Sequence, residues 1–218
     1  ILNIPHADAD CRLTTDRFEH GKDYQDKIEK GQILCDDGST IFNRGTTHMF
    51  RGDLDWSIFA NYLKEKYSKD EKVNSYVYGC SKGYEAYSLS ILLQQMFDEE
   101  SAKFFPIKAK DINKDVHYRQ GAVCFIDRYD WRDMGYLSFL NSKKESTDLR
   151  TKYITKNSIA LSLYPYKLKD NVINTIEFEK ANILDDIENI DSNNPSIIMA
   201  RNMWPYIDPD EYEDFTQK

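Results

Sequence analysis

A chain of 218 residues is long enough to bury one core and a small accessory lobe beside it. Its 37 acidic residues against 29 basic ones leave a net charge of −8, which repels phosphate backbones and argues against nucleic acid as a partner. No run approaches the roughly 20 apolar residues of a membrane span, and no signal-like segment opens the sequence, so membrane insertion is not expected.

In chain order, residues 1–45 are polar and weakly periodic. Ile33-Leu34-Cys35, the turn Asp36-Asp37-Gly38-Ser39 and Thr40-Ile41-Phe42 read as a hairpin. From Asp55 to Tyr67, the apolar residues Trp56, Phe59, Ala60, Leu63 and Tyr67 recur at helical spacing and predict an amphipathic helix. Val73 to Tyr78 is strand-like and runs into the small-residue turn Gly79-Cys80-Ser81-Lys82-Gly83. Glu85 to Phe97 is a strongly apolar helix. Further strands are expected at Phe104–Ala109, leading to Asp111, and at Ile159–Leu163, Thr175–Phe178 and Ser196–Ala200, with a helical piece at Val116–Gly121. Tyr164-Pro165-Tyr166 reads as a turn with packed rings. Strands alternating with helices predict an α/β fold with a mostly parallel sheet flanked by helices.

The cysteines Cys11, Cys35, Cys80 and Cys124 show no CxxC and no ligand-like spacing. They read as reduced thiols of a cytoplasmic protein rather than a disulfide frame or a zinc site. His6, Asp8, Asp10 and Cys11 fit no tetrahedral pattern, so no metal is expected.

A strand, a glycine-bearing turn and a helix form the opening of a dinucleotide-type cofactor fold, with the ligand across the carboxyl ends of the strands. Gly79 and Gly83 either let the backbone approach a ligand without Cβ obstruction or simply shape the strand-to-helix turn. The spacing is not GxGxxG, and no Lys-Ser/Thr pair closes it as a phosphate loop.

The longer string is more specific. Gly79-Cys80-Ser81-Lys82-Gly83-Tyr84-Glu85-Ala86-Tyr87-Ser88-Leu89 resembles the Gly-Cys-Ser-Thr-Gly-Glu-Glu-Pro-Tyr-Ser-Leu signature of the CheR-type (chemotaxis receptor) protein-glutamate methyltransferases. It departs at Lys82, Tyr84 and Ala86. Four further matches fall in family order. Thr47-His48-Met49-Phe50-Arg51 is similar to Thr-x-Phe-Phe-Arg, and Ala109-Lys110-Asp111-Ile112 to Ala-Thr-Asp-Ile. Phe178 to Leu184 resembles Phe-x-x-x-Asn-Leu-Leu, and Ala200 to Asp208 resembles Cys-Arg-Asn-Val-x-Ile-Tyr-Phe-Asp.

The resemblance implies a Rossmann-like class I methyltransferase core that binds S-adenosylmethionine and releases S-adenosylhomocysteine. Residues 1–54 then form an N-terminal extension with a segment that closes over the cofactor, and residues 55–218 form the core. Such a fold continues beyond the Tyr206 region with a helix and an antiparallel hairpin, so C-terminal strands are expected to be missing at Lys218.

By the same resemblance, Thr47, Gly79, Cys80, Gly83, Glu85, Asp111, Asn182 and Asn202 bind the cofactor, while Arg51 and Tyr206 serve the transfer itself. Each role has a plainer competitor. Asp111 at a strand end suits the ribose hydroxyls, but Asp is also a favoured helix N-cap. Glu85 either holds the methionine ammonium, or orients a group that does, or complements the helix dipole. Asn182, expected near the adenine, and Asn202, near the methionine, each suit strand termination by side-chain bonding. Arg51 suits bidentate capture of an incoming carboxylate, or an ion pair with Asp53 or Asp55. Tyr206 lines an acceptor pocket or is a plain core tyrosine. The resemblance implies a glutamate side chain of a protein as the acceptor, and such a carboxylate, already ionised at neutral pH, needs no general base.

Gly45 stands where the family has Asn, and Pro205 replaces an aliphatic residue. Together with Tyr84 they keep a second reading open, a non-catalytic S-adenosylmethionine-binding sensor or interaction module. A third, an α/β domain binding another nucleotide such as NAD, is disfavoured by the absent GxGxxG.

Overall fold

Asp55 sets the start of the first helix, α1 (Trp56–Tyr67). Its Oδ1 accepts from the Ser57 N–H at 3.0 Å and the Ile58 N–H at 3.1 Å, satisfying donors that have no partner inside the helix. The buried residues of α1 are Trp56, Phe59, Ala60, Leu63 and Tyr67, the five whose spacing predicts it. The protein is described by a computed structural model over residues 49–51, 54–112, 125–126, 150–156, 166–201 and 203.

The described strands are β1 (Asn74–Tyr78), β2 (Ile107–Asp111), β3 (Phe125–Ile126), β4 (Ile154–Lys156), β5 (Tyr166–Leu168), β6 (Ile176–Lys180) and β7 (Ser196–Ala200). Four form one sheet in the order β6-β2-β1-β7, and every neighbouring pair is parallel. Parallel neighbours need crossovers. The first is α2 (Tyr84–Phe97), continued by a 3₁₀ turn at Asp98–Phe104. The chain moves outward from β1 to β2 and β6, then returns to the other side of β1 for β7. The order therefore reverses between β1 and β7, and the crevice at their carboxyl ends is where such sheets bind ligands.

Side-chain alternation gives the sheet two unlike faces. Val77, Ile107, Ala109, Ile176, Phe178, Ile197 and Met199 join one large apolar core. Helix α2 is buried on nearly every side because it is wedged between that face, α1 and the short helix α4 (Asp170–Ile173). The opposite face carries Tyr76, Tyr78, Lys108, Lys110, Glu177 and Glu179. Tyr76 and Tyr78 meet Ile183 there, the first residue of α5 (Ile183–Asp186).

A second sheet, in the order β3-β5-β4, is antiparallel and falls between β2 and β6 in sequence. Tyr153, which closes the short helix α3 (Arg150–Tyr153), joins the main core with Ile154 and Leu168. Its hydroxyl donates to Gln95 Oε1 at 2.8 Å, docking this lobe on α2.

The parallel α/β architecture matches the sequence reading, and Ser196–Ala200 is a strand as expected. Other boundaries shift. The second strand starts at Ile107 rather than Phe104, because Phe104 ends the 3₁₀ turn and Pro106 has no N–H for the ladder. The expected Thr175–Phe178 strand runs from Ile176 to Lys180. Tyr166 begins β5 instead of lying in a turn. The hairpin at 33–42, the helical piece at 116–121 and the strand at 159–163 lie outside the described residues.

Candidate cofactor site at the carboxyl edge of the sheet

The carboxyl ends of the four parallel strands bring together residues far apart in sequence. Gly79 follows β1, Asp111 ends β2, Asn182 lies two residues past β6 and Arg201 follows β7. The Tyr78–Ala200 register sets the Gly79 turn beside Arg201, at the switch point.

The turn after β1 is held by its neighbours. Asp111 Oδ2 accepts from the Ser81 N–H at 2.7 Å, and the Lys110 carbonyl accepts from the Cys80 N–H at 3.1 Å. Ser81 sits at φ +45°, a conformation that this charge-assisted bond helps to hold. The Asp111 side chain is half-buried beside the glycine turn. Cys80 is buried and faces the core.

The two glycines are required for backbone reasons. Gly79 has φ +63° and Gly83 has φ +86°, both in the left-handed region. A Cβ on Gly83 would lie 2.7 Å from Phe178 Cζ and 3.0 Å from Tyr87 Cε2, so this glycine permits helix-to-sheet contact. A Cβ on Gly79 would meet Met203 Cβ at 3.4 Å. At both positions the missing Cβ would meet this chain's own side chains, so the turn-shaping role is visible in the contacts. Gly83 is also the N-cap of α2 and supplies no side-chain cap, leaving the helix N-terminus to other partners.

Glu85, in the first turn of α2, is buried and pairs with Arg201, Oε1 to Nη1, at 3.1 Å. The Arg201 guanidinium also lies over the Trp56 ring, 5.8 Å from its centroid. Trp56 Nε1 donates to the Arg51 carbonyl at 3.0 Å. One indole thus joins the segment before the sheet to the charge pair above it. The same segment is clasped to α2 by Ser88, whose hydroxyl accepts from the Phe50 N–H at 2.8 Å and donates to the Tyr84 carbonyl at 2.7 Å. Phe50, at φ +49°, packs edge-on against Trp56 with centroids 5.1 Å apart. These contacts explain the Tyr-Ser pair of the glycine string: Tyr87 packs on Phe178, and Ser88 anchors the Arg51 segment.

Asn182 caps α5. Its Oδ1 accepts from the Leu184 N–H at 3.2 Å, and its carbonyl accepts from the Asp186 N–H at 3.0 Å. These bonds are the plainer role of Asn182, side-chain bonding to the backbone just past a strand, and they fix where the side chain stands at the sheet edge. Behind it lies a partly buried polar cluster. Lys110 Nζ is 2.7 Å from Asp186 Oδ2 and 3.2 Å from Glu179 Oε2, while Tyr78 donates its hydroxyl to Asp186 Oδ2 at 2.5 Å. Burial opposes the lysine's charge, but hydrogen bonds to Asp186 and Glu179 outweigh it and hold the ammonium above the ordinary lysine range. Burial likewise works against the Asp186 charge, and the bonds from Lys110 and Tyr78 outweigh it, keeping that carboxyl below the usual range. Burial first, then donation to Asp186, pushes the Tyr78 phenol well up.

Of the expected site residues, the structure brings Arg51, Gly79, Cys80, Gly83, Glu85, Asp111 and Asn182 to one edge; Thr47, Asn202 and Tyr206 lie outside the described residues. Sequence reasoning assigned no role to Arg201, Trp56, Ser88, Lys110 or Asp186. Arg201 was within reach, being part of the quoted Ala200-Arg201-Asn202 string. Among the described residues no group of three His, Cys, Asp or Glu is placed to hold a metal, and no helix is long and apolar enough to cross a membrane.

The donor set fits a nucleoside that carries an amino acid. An acceptor carboxylate (Asp111) suits vicinal hydroxyls, an amide (Asn182) suits a base edge, and the Glu85–Arg201 pair offers both signs of charge to an ammonium and a carboxylate. A search among curated proteins finds no match. Residues 45–126 match the family model described as "CheR methyltransferase, SAM binding domain", a span that includes the Arg51 segment, β1, the glycine turn, α2 and Asp111. Taken with the parallel sheet and the residues gathered at its switch point, that match makes residues 45–126 similar to the S-adenosylmethionine-binding domain of the CheR methyltransferases and supports S-adenosylmethionine as the ligand of this edge.

Proposed function

We propose that this protein transfers the methyl group of S-adenosylmethionine to a glutamate side chain of a protein substrate. The observation that carries the reading is that Asp111, Asn182 and the Glu85–Arg201 pair all lie at the carboxyl edge of one parallel sheet, whose order reverses beside β1. Bound there, S-adenosylmethionine would supply an activated methyl carbon: an acceptor carboxylate oxygen would bond to it in line as the carbon–sulfur bond breaks, and the sulfur would leave as the neutral thioether of S-adenosylhomocysteine. The residues of this chain hold and orient. Asp111 accepts from ribose hydroxyls, Asn182 presents its amide to the base, and Glu85 and Arg201 take the ammonium and carboxylate of the methionine end. Arg51, tethered through its carbonyl to Trp56, receives the incoming carboxylate. A carboxylate acceptor carries no proton to remove, so the site needs alignment and exclusion of water, with no general base.

Two measurements test this. Calorimetric titration with S-adenosylhomocysteine, with NAD as the control, is expected to show saturable binding of the first alone. Incubation with methyl-labelled S-adenosylmethionine and candidate protein substrates is expected to give label that mild alkali releases as methanol, as carboxyl esters do. Alkali-stable label would assign an amine or amide acceptor instead. Binding with no transfer to any substrate would favour the non-catalytic sensor.

A further inference from the structure

Lys110 is a charged residue in the second strand of a parallel sheet, with only 9% of its side chain exposed. Burying an ammonium is costly, and an apolar β-branched residue would suit a strand better. What the lysine does instead is join three elements. It leaves β2, meets Glu179 of β6 at 3.2 Å and Asp186 of α5 at 2.7 Å. Asp186 ends the single turn that Asn182 begins, and the Asp186 N–H bonds the Asn182 carbonyl at 3.0 Å. The path from the ammonium to the Asn182 main chain is therefore one ion pair and one hydrogen bond. A four-residue helix cannot hold its own position. Here Lys110 and Tyr78 grip its last side chain while Ile183 packs on Tyr76 and Tyr78. The lysine's own carbonyl, on the same strand, takes the Cys80 N–H of the glycine turn.

We propose that Lys110, acting through Asp186, is a positioning residue that sets Asn182 against the nucleobase and so tunes recognition of the base. This rests on the reading of the site as an S-adenosylmethionine site with Asn182 at its adenine end. A purely structural lysine would affect every ligand of the site alike. A positioning lysine affects the base end alone, and that difference is measurable.

The experiment compares the whole chain with Lys110→Met and Tyr78→Phe, titrating each with S-adenosylhomocysteine and with S-inosylhomocysteine. The second ligand differs only in the base, where a carbonyl replaces the exocyclic amine. The parent is expected to prefer the adenosyl ligand. In Lys110→Met its affinity should fall about tenfold while that for the inosyl ligand changes little, so that the preference collapses. Tyr78→Phe removes one hydroxyl and keeps the ion pair, and it should move the ratio the same way by a few-fold; it carries the test if Lys110→Met does not fold. An unchanged preference in the folded variants, or an equal loss for both ligands, overturns the proposal. A folded parent that binds neither ligand overturns the cofactor reading itself, and this inference with it.

Discussion

Replacing Gly83 by Ala separates two reasons for a glycine, and the structure allows each to be sized. At φ +86° an added Cβ carries left-handed strain of about 1–2 kcal/mol. It would also lie 2.7 Å from Phe178 Cζ, 2.9 Å from Phe178 Cε1 and 3.0 Å from Tyr87 Cε2, closer than carbon atoms tolerate. Those rings are buried and hold each other edge-on at 6.0 Å, so relief requires a ring to move within the core. Such overpacking costs about 1–3 kcal/mol, for a total of roughly 2–5 kcal/mol. Gly79→Ala is the internal control. Its φ of +63° brings the same strain, but its nearest neighbour is Met203 Cβ at 3.4 Å, an ordinary contact. Thermal denaturation should show Gly83→Ala losing roughly 4–20 °C, and Gly79→Ala at the low end of that range. Phe178→Leu should be partly compensating in the Gly83→Ala background, giving a favourable coupling in a double-mutant cycle. Equal losses for the two glycines, or strict additivity with Phe178→Leu, would refute the ring clash as the cause.

Asp111→Ala should weaken S-adenosylhomocysteine binding by about 1.5–3 kcal/mol, and it also frees the Ser81 N–H from its 2.7 Å partner; an unchanged Kd in calorimetry would remove Asp111 from the ribose. Trp56→Phe keeps a ring beneath Arg201 but loses the bond to the Arg51 carbonyl, costing about 1 kcal/mol in urea denaturation. Trp56→Ala should cost about 3–5 kcal/mol; equal losses for the two would mean the indole N–H matters more than the buried ring. Asp191 is held at about 2, below its ordinary 3.8, by the Asn193 N–H first and then by Asn194 and Asn74. A depressed carboxyl stabilises the fold above its ordinary value and loses that contribution as pH falls toward the folded value. The melting-temperature gap between the parent and Asp191→Asn should therefore be constant above about pH 4 and shrink toward pH 2; a gap that persists at pH 2 would show that charge is not its source.

The local parts of this protein were legible because their physics is local. Five apolar residues at helical spacing predicted α1, and the Asp55 cap lies where such a pattern needs one. The Ser196–Ala200 run and the apolar 85–97 stretch likewise matched their elements, since hydrophobic periodicity reports the face to be buried. The glycine string with its ordered companions points to the cofactor class through its resemblance to a known family, and its two glycines are legible because a turn with positive φ tolerates few other residues.

What the tertiary structure decided are pairings between distant strands and loops. No spacing rule links Glu85 to Arg201, or Lys110 to Asp186, since strand order β6-β2-β1-β7 alone makes them neighbours. The role of Ser88 likewise depended on where Phe50 arrives from outside the sheet. The reason Gly83 must be glycine also came from the fold, through Phe178, a residue 95 positions away that only the β2–β6 pairing brings under α2. Sequence patterns record what each segment must bury; charge pairs and ring contacts across the sheet depend on which segments fold against one another.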